Sequence, residues 1–187
     1  MQEDLCIAIS GTPGSGKTSL SKLFESNDVP VYSVKQLAEQ SGCIGDQDQS
    51  DGAQEIDIHR LSDEWENKES GLVIIEGHLS HFLDLDAIVL LRCNPKEIET
   101  RLNTREYPNQ KVKANCEWEL IAGNWSELLE FEIELPIIEL DSTSQSPEEL
   151  FQLVNDWISE GLPYTSVSEE SKLCLLYTSD AADDSQC

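Results

Sequence analysis

The sequence has few positive charges for its length. Only 12 of its 187 residues are Lys or Arg, against 37 Asp or Glu, which gives a formal net charge of -25. A protein that binds nucleic acid mainly by electrostatics needs a basic surface that displaces counterions from phosphates, so strong direct binding of nucleic acid is not expected. Two interpretations of the acidic excess remain open. It reflects either a cytoplasm of high salt or an ordinary acidic surface that faces a partner.

Long apolar runs and paired cysteines are also missing. The apolar run at residues 87–91 is far too short to cross a bilayer, and no basic-then-apolar leader stands at the start. The six cysteines include no pair at C-x-x-C spacing, and the three histidines stand at no metal-ligand spacing to them. We therefore expect a cytoplasmic protein with free thiols, no zinc site and no contact with a membrane.

Short apolar segments alternate with amphipathic segments along the chain. Buried strands are predicted at residues 5–10, 29–33, 72–76, 87–91 and 137–140, and helices at 19–25, 34–40, 56–65, 96–102, 112–132 and 146–158. This order is typical of an α/β fold in which helices cover both faces of a parallel sheet. The polar residues 43–54 are predicted to form a mobile segment. Residues 163–187 lose the periodicity and are interpreted as a disordered tail, for which translated read-through or a sequencing artefact is a candidate origin.

Residues 11–18, Gly-Thr-Pro-Gly-Ser-Gly-Lys-Thr, match the phosphate-loop pattern G-x-x-x-x-G-K-[ST] in full. The motif lies between a predicted strand and a predicted helix, where its glycines let backbone N–H groups turn toward phosphate oxygens. In this pattern Lys17 reaches the β- and γ-phosphates of ATP, and the Thr18 hydroxyl is a ligand of Mg²⁺. The candidate nucleotide-binding residues are Gly11, Gly14, Ser15, Gly16, Lys17, Thr18 and Ser19.

The third predicted strand ends in a carboxylate, Glu76. Ligands of open α/β sheets bind at the edge formed by the carboxyl ends of the strands, so Glu76 is a candidate ligand of Mg²⁺, either directly or through water. The alternative is a solvated acidic residue without a role. His78 follows on the same turn and is interpreted either as a contact of the γ-phosphate or of the attacking group, or as a structural residue. His81 is expected to be a surface or packing residue.

Phosphoryl transfer needs positive charge on the group that moves. Arg101 and Arg105 are four residues apart, so we expect them to share a helix face and to form part of a lid that closes over ATP. The alternative is a surface pair bridged to Glu97 and Glu99. The cations considered are Arg60, Arg92, Arg101 and Arg105, followed by Lys111 and Lys113, which extend the patch after the last two.

Four segments together resemble a known family. They are residues 11–18, Ile-Glu-Gly-His-Leu-Ser-His at 75–81, Leu-Arg-Cys-Asn-Pro at 91–95 and Arg-Leu-Asn-Thr-Arg-Glu-Tyr at 101–107. The set is similar to the archaeal adenylate kinases that group with the eukaryotic adenylate kinase 6 family, also called Fap7 or CINAP. The similarity extends over about residues 4–160 and leaves out the tail.

The resemblance implies a P-loop nucleoside monophosphate (NMP) kinase domain at residues 1–162, with a five-stranded parallel sheet. It also implies an NMP-binding segment at about 33–56 and a lid at about 104–114. By motif position, Arg105 resembles the lid arginine that contacts ATP, and Glu76 and His78 occupy the acidic-x-His motif, which is Asp-x-His in eukaryotic members. The candidate catalytic residues are therefore Lys17, Glu76, His78, Arg101 and Arg105, and the candidate metal ligands are Thr18 and Glu76.

The sequence departs from the family pattern at two places. Glu106 stands where the family usually has Gly before Tyr107, which is expected to stiffen the start of the lid. The NMP-binding segment contains only one cation, Lys35, so Arg60 and Arg92 are the candidate contacts of the acceptor phosphate.

Two functions from different classes follow from the resemblance. One is an enzyme that moves the γ-phosphoryl group of ATP to AMP or another NMP and also hydrolyses ATP. The other is an assembly factor whose ATP hydrolysis switches its binding to ribosomal protein uS11 during late maturation of the small ribosomal subunit and its 16S rRNA. A third interpretation, a nucleotide-binding protein without turnover, is disfavoured by the intact Lys17, Thr18 and Glu76.

Overall fold

A computed structural model describes residues 4–47 and 54–164. The strands are β1 (Leu5–Gly11), β2 (Val31–Ser33), β3 (Ile44–Gln47), β4 (Gln54–Ile56), β5 (Leu72–Glu76), β6 (Ala87–Arg92) and β7 (Ile137–Asp141). The helices are α1 (Lys17–Glu25), α2 (Val34–Ser41), α3 (Ile58–Glu64), α4 (Pro95–Thr104), α5 (Asn109–Leu120), α6 (Gly123–Glu130) and α7 (Pro147–Ser159), with one 3₁₀ turn at Ser80–Phe82. Within these residues, no helix is both long enough and apolar enough to span a bilayer.

Five of the strands form one parallel sheet in the order β2-β5-β1-β6-β7. The sequence-based prediction of a five-stranded parallel sheet is therefore confirmed. Parallel strands that are covered on both faces are apolar on both sides, which explains the uninterrupted runs in β5 and β6. All five strands point the same way, so the residues that follow them meet at one edge of the sheet.

Two apolar clusters cover the two faces of the sheet. On one face, Ile7 and Ile9 of β1 pack with Phe24 of α1 and Val154 of α7. On the other face, Ala8 of β1 packs with residues of α2, α3 and α6. Because side chains alternate along a strand, β1 contributes to both clusters and lies at the centre of the core. The segment that follows β1 is thereby held on a rigid support.

The prediction of a mobile segment at residues 43–54 is wrong for its two ends. β3 and β4 pair antiparallel, with Ile44 opposite Ile56 and Gln47 opposite Gln54. Ile44 and Ile56 pack against the cluster that contains Ala8, and this burial stabilises a hairpin that is otherwise polar. Residues 48–53, and residues 165–187 of the predicted tail, lie outside the described part of the chain.

The single helix predicted at residues 112–132 is also wrong. The structure has two helices, α5 and α6, separated at Ala122, which adopts a left-handed conformation with φ of 53°. Gly123 then lies directly against the ring of Trp118, and a Cβ atom built on Gly123 would be 2.1 Å from that ring. The chain is helical on both sides of this break, so helical spacing alone does not locate it.

The contact between Gly123 and Trp118 predicts that Gly123→Ala destabilises the fold. The added methyl group cannot fit unless the indole or the helix moves, and overpacking of this kind costs about 1–3 kcal/mol. Urea unfolding should report this loss. Gly45→Ala is a suitable control, because a Cβ atom at Gly45 would meet its neighbours only at ordinary contact distances of 3.5 Å and more. Equal stability of Gly123→Ala and the wild type would show that the junction can repack.

Candidate active site

The phosphate loop turns sharply between β1 and α1. Gly11, Gly14 and Gly16 have φ angles of 141°, 93° and 94°, in a region that favours glycine. A Cβ atom on Gly11 would be 2.3 Å from the carbonyl oxygen of Leu91, so no larger residue fits there. The turn ends at Gly16, and α1 begins with Lys17. The backbone N–H groups at this helix start are therefore available to an anion.

Lys17 is buried inside the phosphate loop. Its Nζ donates hydrogen bonds to the carbonyl oxygens of Gly11, at 2.7 Å, and Thr12, at 3.0 Å. Burial lowers the pKa of Lys17 from its usual 10.5 to about 8, while the carboxylates of Glu76 and Glu119 oppose this shift. The loop thus holds one ammonium group whose charge depends on the acids around it.

Glu76 and Thr18 lie side by side next to the phosphate loop. β5 is the neighbour of β1 in the sheet, with Glu76 opposite Ile9. The carboxylate at the end of β5 therefore lies next to the loop that follows β1. The Thr18 hydroxyl donates to Glu76 Oε2 at 3.3 Å. One hydroxyl and one carboxylate fit the way Mg²⁺ binds in phosphate sites, where phosphate oxygens and water complete its shell.

The two histidines after β5 occupy different environments. His78 is half-buried, with its ring edge-on to that of Trp118 at a centroid distance of 6.2 Å. Burial, followed by the charge of Lys17, lowers the pKa of His78, so the imidazole is neutral at pH 7. His81 packs in the interior, with Nδ1 2.8 Å from the Ser10 hydroxyl and Nε2 3.3 Å from Glu127.

Arg101 and Arg105 both approach the phosphate loop, but they make different contacts there. α4 ends at Thr104, and Arg105 lies at the start of the following turn. Arg101 instead donates to the carbonyl oxygens of Gly14, at 3.1 Å, and Ser142, at 3.0 Å, and pairs with Glu97 at 2.9 Å. Arg101 therefore supports the phosphate loop through its backbone, while Arg105 reaches the space in front of the loop.

The proposed partners of an acceptor phosphate are engaged elsewhere. Arg92 pairs with Glu119 at 2.6 Å and with Glu139 at 3.5 Å, in a partly buried network. Arg60 pairs with Glu64 at 2.8 Å on the surface. Lys35 lies 3.8 Å from Glu39. Lys113 lies 3.6 Å from Glu117. Lys111 lies over the ring of Tyr107. Arg60 and Arg92 thus already have carboxylate partners, and their contact with an acceptor phosphate stays a prediction.

A cleft of about 230 Å³ lies at the carboxyl edge of the sheet, and we call it the phosphate cleft. Its lining consists of Pro13, Gly14, Gly16, Lys17, Thr18, Glu76, Gly77, His78, Arg105 and Tyr107. A larger groove of about 470 Å³ lies between α4 and α5 and is lined by other residues. The smaller cleft is the candidate active site, because it joins the phosphate loop to a carboxylate, a neutral imidazole and a guanidinium.

Sequence reasoning missed a group of residues behind the phosphate loop. Glu119 is buried and accepts a hydrogen bond from the Thr12 hydroxyl, and Asn124 lies 3.3 Å from the same hydroxyl. Glu119 is one of 37 acidic residues in the chain, and its neighbours in sequence do not distinguish it. Only the packing of α5 against the loop brings these side chains together.

The fold and the phosphate cleft define a P-loop protein with a fold of the NMP kinase type. Comparison with known families agrees, since the family described as "AAA domain" matches residues 7–122. The chain is 40% identical over 159 residues to a protein of Thermococcus onnurineus and 37% identical over 150 residues to one of Archaeoglobus fulgidus, both named "Putative adenylate kinase". These matches cover 84% and 80% of this chain, and 86% and 80% of the relatives.

The chain therefore belongs to the AAA-domain family and to the family of these archaeal proteins. Among solved structures, shikimate kinase from Acinetobacter baumannii superposes with a TM-score of 0.54 at 14% sequence identity. The superposition covers 86% of this chain and 96% of that one. At this identity the likeness concerns the fold alone, and it confirms the prediction of a P-loop fold of the NMP kinase type.

The pKa of Lys17 makes a prediction about stability. Between pH of about 8 and 10.5, Lys17 is neutral in the folded protein and protonated in the unfolded chain, so the unfolded state binds more protons. The wild type should therefore gain stability relative to Lys17→Met as the pH rises through this window. Below pH 8 both states are protonated and the difference should be constant. Urea unfolding of both proteins from pH 7 to 10 measures this, and a flat difference would mean that the folded-state pKa is normal.

Proposed function

We propose that the protein is an adenylate kinase that catalyses ATP + AMP = 2 ADP, with AMP or another NMP as the acceptor, and that it also hydrolyses ATP. The observation that carries this proposal is the position of Lys17, buried in the phosphate loop and facing Glu76, Thr18 and Arg105 around one cleft. The names of the archaeal relatives support the same reaction. We further propose that the chain belongs to the adenylate kinase 6 (Fap7 or CINAP) group, since Glu76 and His78 fit its acidic-x-His motif.

Binding of ATP begins at the phosphate loop. The phosphates enter the turn between Gly11 and Gly16, where backbone N–H groups at the start of α1 donate to their oxygens. Lys17 Nζ then exchanges its bonds to the loop carbonyls for the β- and γ-phosphate oxygens. The phosphates also raise the proton affinity of Lys17, so its ammonium form is favoured in the complex.

Thr18 and Glu76 are the residues that would hold Mg²⁺. When bound there with the nucleotide, Mg²⁺ neutralises charge on the β- and γ-phosphate oxygens. The Thr18 hydroxyl and Glu76 Oε2 are 3.3 Å apart, and both residues line the phosphate cleft. Glu76 also opposes the lowering of the Lys17 pKa and so helps to keep that group charged.

Arg105 supplies positive charge to the group in transfer. It is in the turn after α4 and lines the phosphate cleft together with Tyr107. In phosphoryl transfer the charge spreads over the oxygens of the moving group, and positioned cations stabilise it without a strong general base. His78 is neutral, so it orients the attacking hydroxyl or water by hydrogen bonding and adds no charge.

A second candidate function is an ATP-hydrolysing assembly factor that binds ribosomal protein uS11 in the cytoplasm and acts in late small-subunit and 16S rRNA maturation. Scarcity of cations on the acceptor side favours this candidate, because residues 33–56 contain one Lys, Lys35, and no Arg. A net charge of -25 also suits contact with a basic ribosomal protein better than contact with naked RNA.

The proposed reaction predicts AMP-dependent formation of ADP from ATP and Mg²⁺ in high salt, measured by coupled assay or chromatography. Lys17→Ala should lower both transfer and hydrolysis by at least about 100-fold, because the ammonium group is lost at the phosphates. Turnover that is stimulated by uS11 and not by AMP would favour the assembly factor. Near-normal turnover of Lys17→Ala would contradict both candidates.

Substitutions of Arg101 in α4 and of Arg105 at its end should have different effects on kcat and stability. Arg105→Met should lower kcat by about 100-fold or more with little change in thermal stability, because Arg105 lines the phosphate cleft and acts on the reacting group. Arg101→Met should lower the melting temperature, because the hydrogen bonds to Gly14 and Ser142 are lost. Its kcat should change less than that of Arg105→Met. If Arg101→Met lost kcat to the same degree and kept its stability, Arg101 would be catalytic as the sequence suggested.

A further inference from the structure

A buried hydroxyl next to the phosphate loop has no part in the chemistry proposed above. Ser10 directly precedes Gly11 in β1, and its side chain is fully buried. A buried hydroxyl is costly unless it is hydrogen-bonded. Ser10 Oγ lies 3.2 Å from the carbonyl oxygen of His78 and 2.8 Å from Nδ1 of His81. The hydroxyl therefore links the strand that enters the phosphate loop with the segment that follows β5.

The Ser10 hydroxyl has one proton for these two neighbours. The carbonyl oxygen of His78 can only accept a hydrogen bond, whereas a ring nitrogen of His81 can donate or accept. Both contacts are satisfied when Ser10 donates to His78 and Nδ1 of His81 donates to Ser10. The hydrogen-bond network thus assigns a proton to Nδ1 of His81, and this proton directs the Ser10 hydroxyl toward the backbone of His78.

His81 is held in its orientation by two neighbours. Its ring is buried and lies against the ring of Phe82, with 4.3 Å between the centroids. Nε2 lies 3.3 Å from Oε2 of Glu127, so both ring nitrogens face polar atoms. A ring turned by 180° would present carbon atoms at both places. His81 is therefore a fixed support for the Ser10 hydroxyl.

His78 is the residue that this link holds in place. The residue before it, Gly77, donates its N–H to the carbonyl oxygen of Ile9 at 3.2 Å, and a Cβ atom built on Gly77 would be 2.7 Å from the side chain of Val34. The turn after β5 is thus closely packed on one side. Nδ1 of His78 is buried and, within the described residues, has no hydrogen-bond partner. This nitrogen is available to a reacting group only if the backbone of His78 keeps its place.

We propose that Ser10 is a positioning residue for His78. Its hydroxyl, directed by His81, holds the turn after β5 so that the imidazole of His78 reaches the attacking group in the phosphate cleft. The proposal rests on the proposed function, in which His78 orients the attacking hydroxyl or water. A purely structural role of the hydroxyl would predict a loss of stability, and any effect on kcat would then be independent of His78.

The kinetic test compares Ser10→Ala, His78→Ala and the double variant in the full chain. Ser10→Ala should lower kcat roughly tenfold and change the KM for ATP by less than about twofold, because a displaced imidazole orients the attacking group less well. In the His78→Ala background the same substitution should change kcat by less than about twofold, since residues that act through one group are not additive. An equal effect of Ser10→Ala in both backgrounds would overturn the proposal.

Ser62→Ala is the matched control. The Ser62 hydroxyl also donates to a backbone carbonyl oxygen of the segment after β5, that of Phe82, at 2.8 Å. Phe82 is at the far end of the 3₁₀ turn, so this variant removes the same kind of hydrogen bond without a link to His78. It should lose a similar amount of stability and keep its kcat. If kcat fell as far as in Ser10→Ala, general loosening of the segment would explain both results and the proposal would be wrong.

His81→Asn and His81→Leu keep the proposal testable if Ser10→Ala does not fold. The amide N–H of Asn can replace the donor at Nδ1, whereas Leu offers no donor. We expect kcat of His81→Asn to stay within about threefold of the wild type and kcat of His81→Leu to fall roughly tenfold. Equal values of kcat for the two variants would show that the donor to Ser10 does not matter.

NMR of the imidazole rings tests the position of His78 without turnover. The chain has three histidines, so the ring signals of each can be assigned by its loss in a His→Ala variant. At one fixed pH, Ser10→Ala should shift the ring signals of His78, and Ser62→Ala should leave them in place. Unchanged His78 signals in folded Ser10→Ala would overturn the proposal. A wild type without transfer or hydrolysis would contradict the proposed function, and the ring signals would still decide whether Ser10 positions His78.

Discussion

The phosphate cleft depends on the burial of one ammonium group, that of Lys17. Lys17 lies inside a loop that turns back on itself, and two carbonyl oxygens of that loop accept its protons. Removing a charge from water is costly, and this cost appears as a pKa of about 8 for a group that usually titrates at 10.5. The carboxylates of Glu76 and Glu119 reduce this cost. ATP would reduce it further, which is the physical basis for binding a triphosphate there.

The parallel sheet explains why the carboxylates and the loop are close in space. β1 is the central strand, β5 and β6 are its neighbours, and all three end at the same edge. Glu76 at the end of β5 therefore lies beside Thr18, and Arg92 at the end of β6 lies beside Glu119. The first pair faces the phosphate cleft, whereas the second supports the loop from behind. The same edge of the sheet thus positions the residues that line the cleft and the residues that hold the phosphate loop in place.

The chain has few cations, and most of its arginines are paired with carboxylates. Of the four arginines, Arg60 and Arg92 pair with carboxylates, and Arg101 pairs with Glu97 while it holds the loop backbone. Arg105 lines the phosphate cleft with Lys17. Among the four arginines, Arg105 is thus the one that stands with Lys17 at the phosphate cleft of a strongly acidic chain. This arrangement favours a phosphate ligand that is held by a few positioned groups over an extended nucleic acid.

The sequence by itself determined the class of fold and the location of the loop. Apolar runs such as β5 and β6 identify buried strands, and the glycine spacing at residues 11–16 specifies a turn that few other residues allow. The break at Ala122, the pairing of β3 with β4, and the different contacts of Arg101 and Arg105 were decided only by tertiary structure. So was the burial of Glu119. Local patterns record spacing along the chain, whereas these features depend on which surfaces pack together across long separations in sequence.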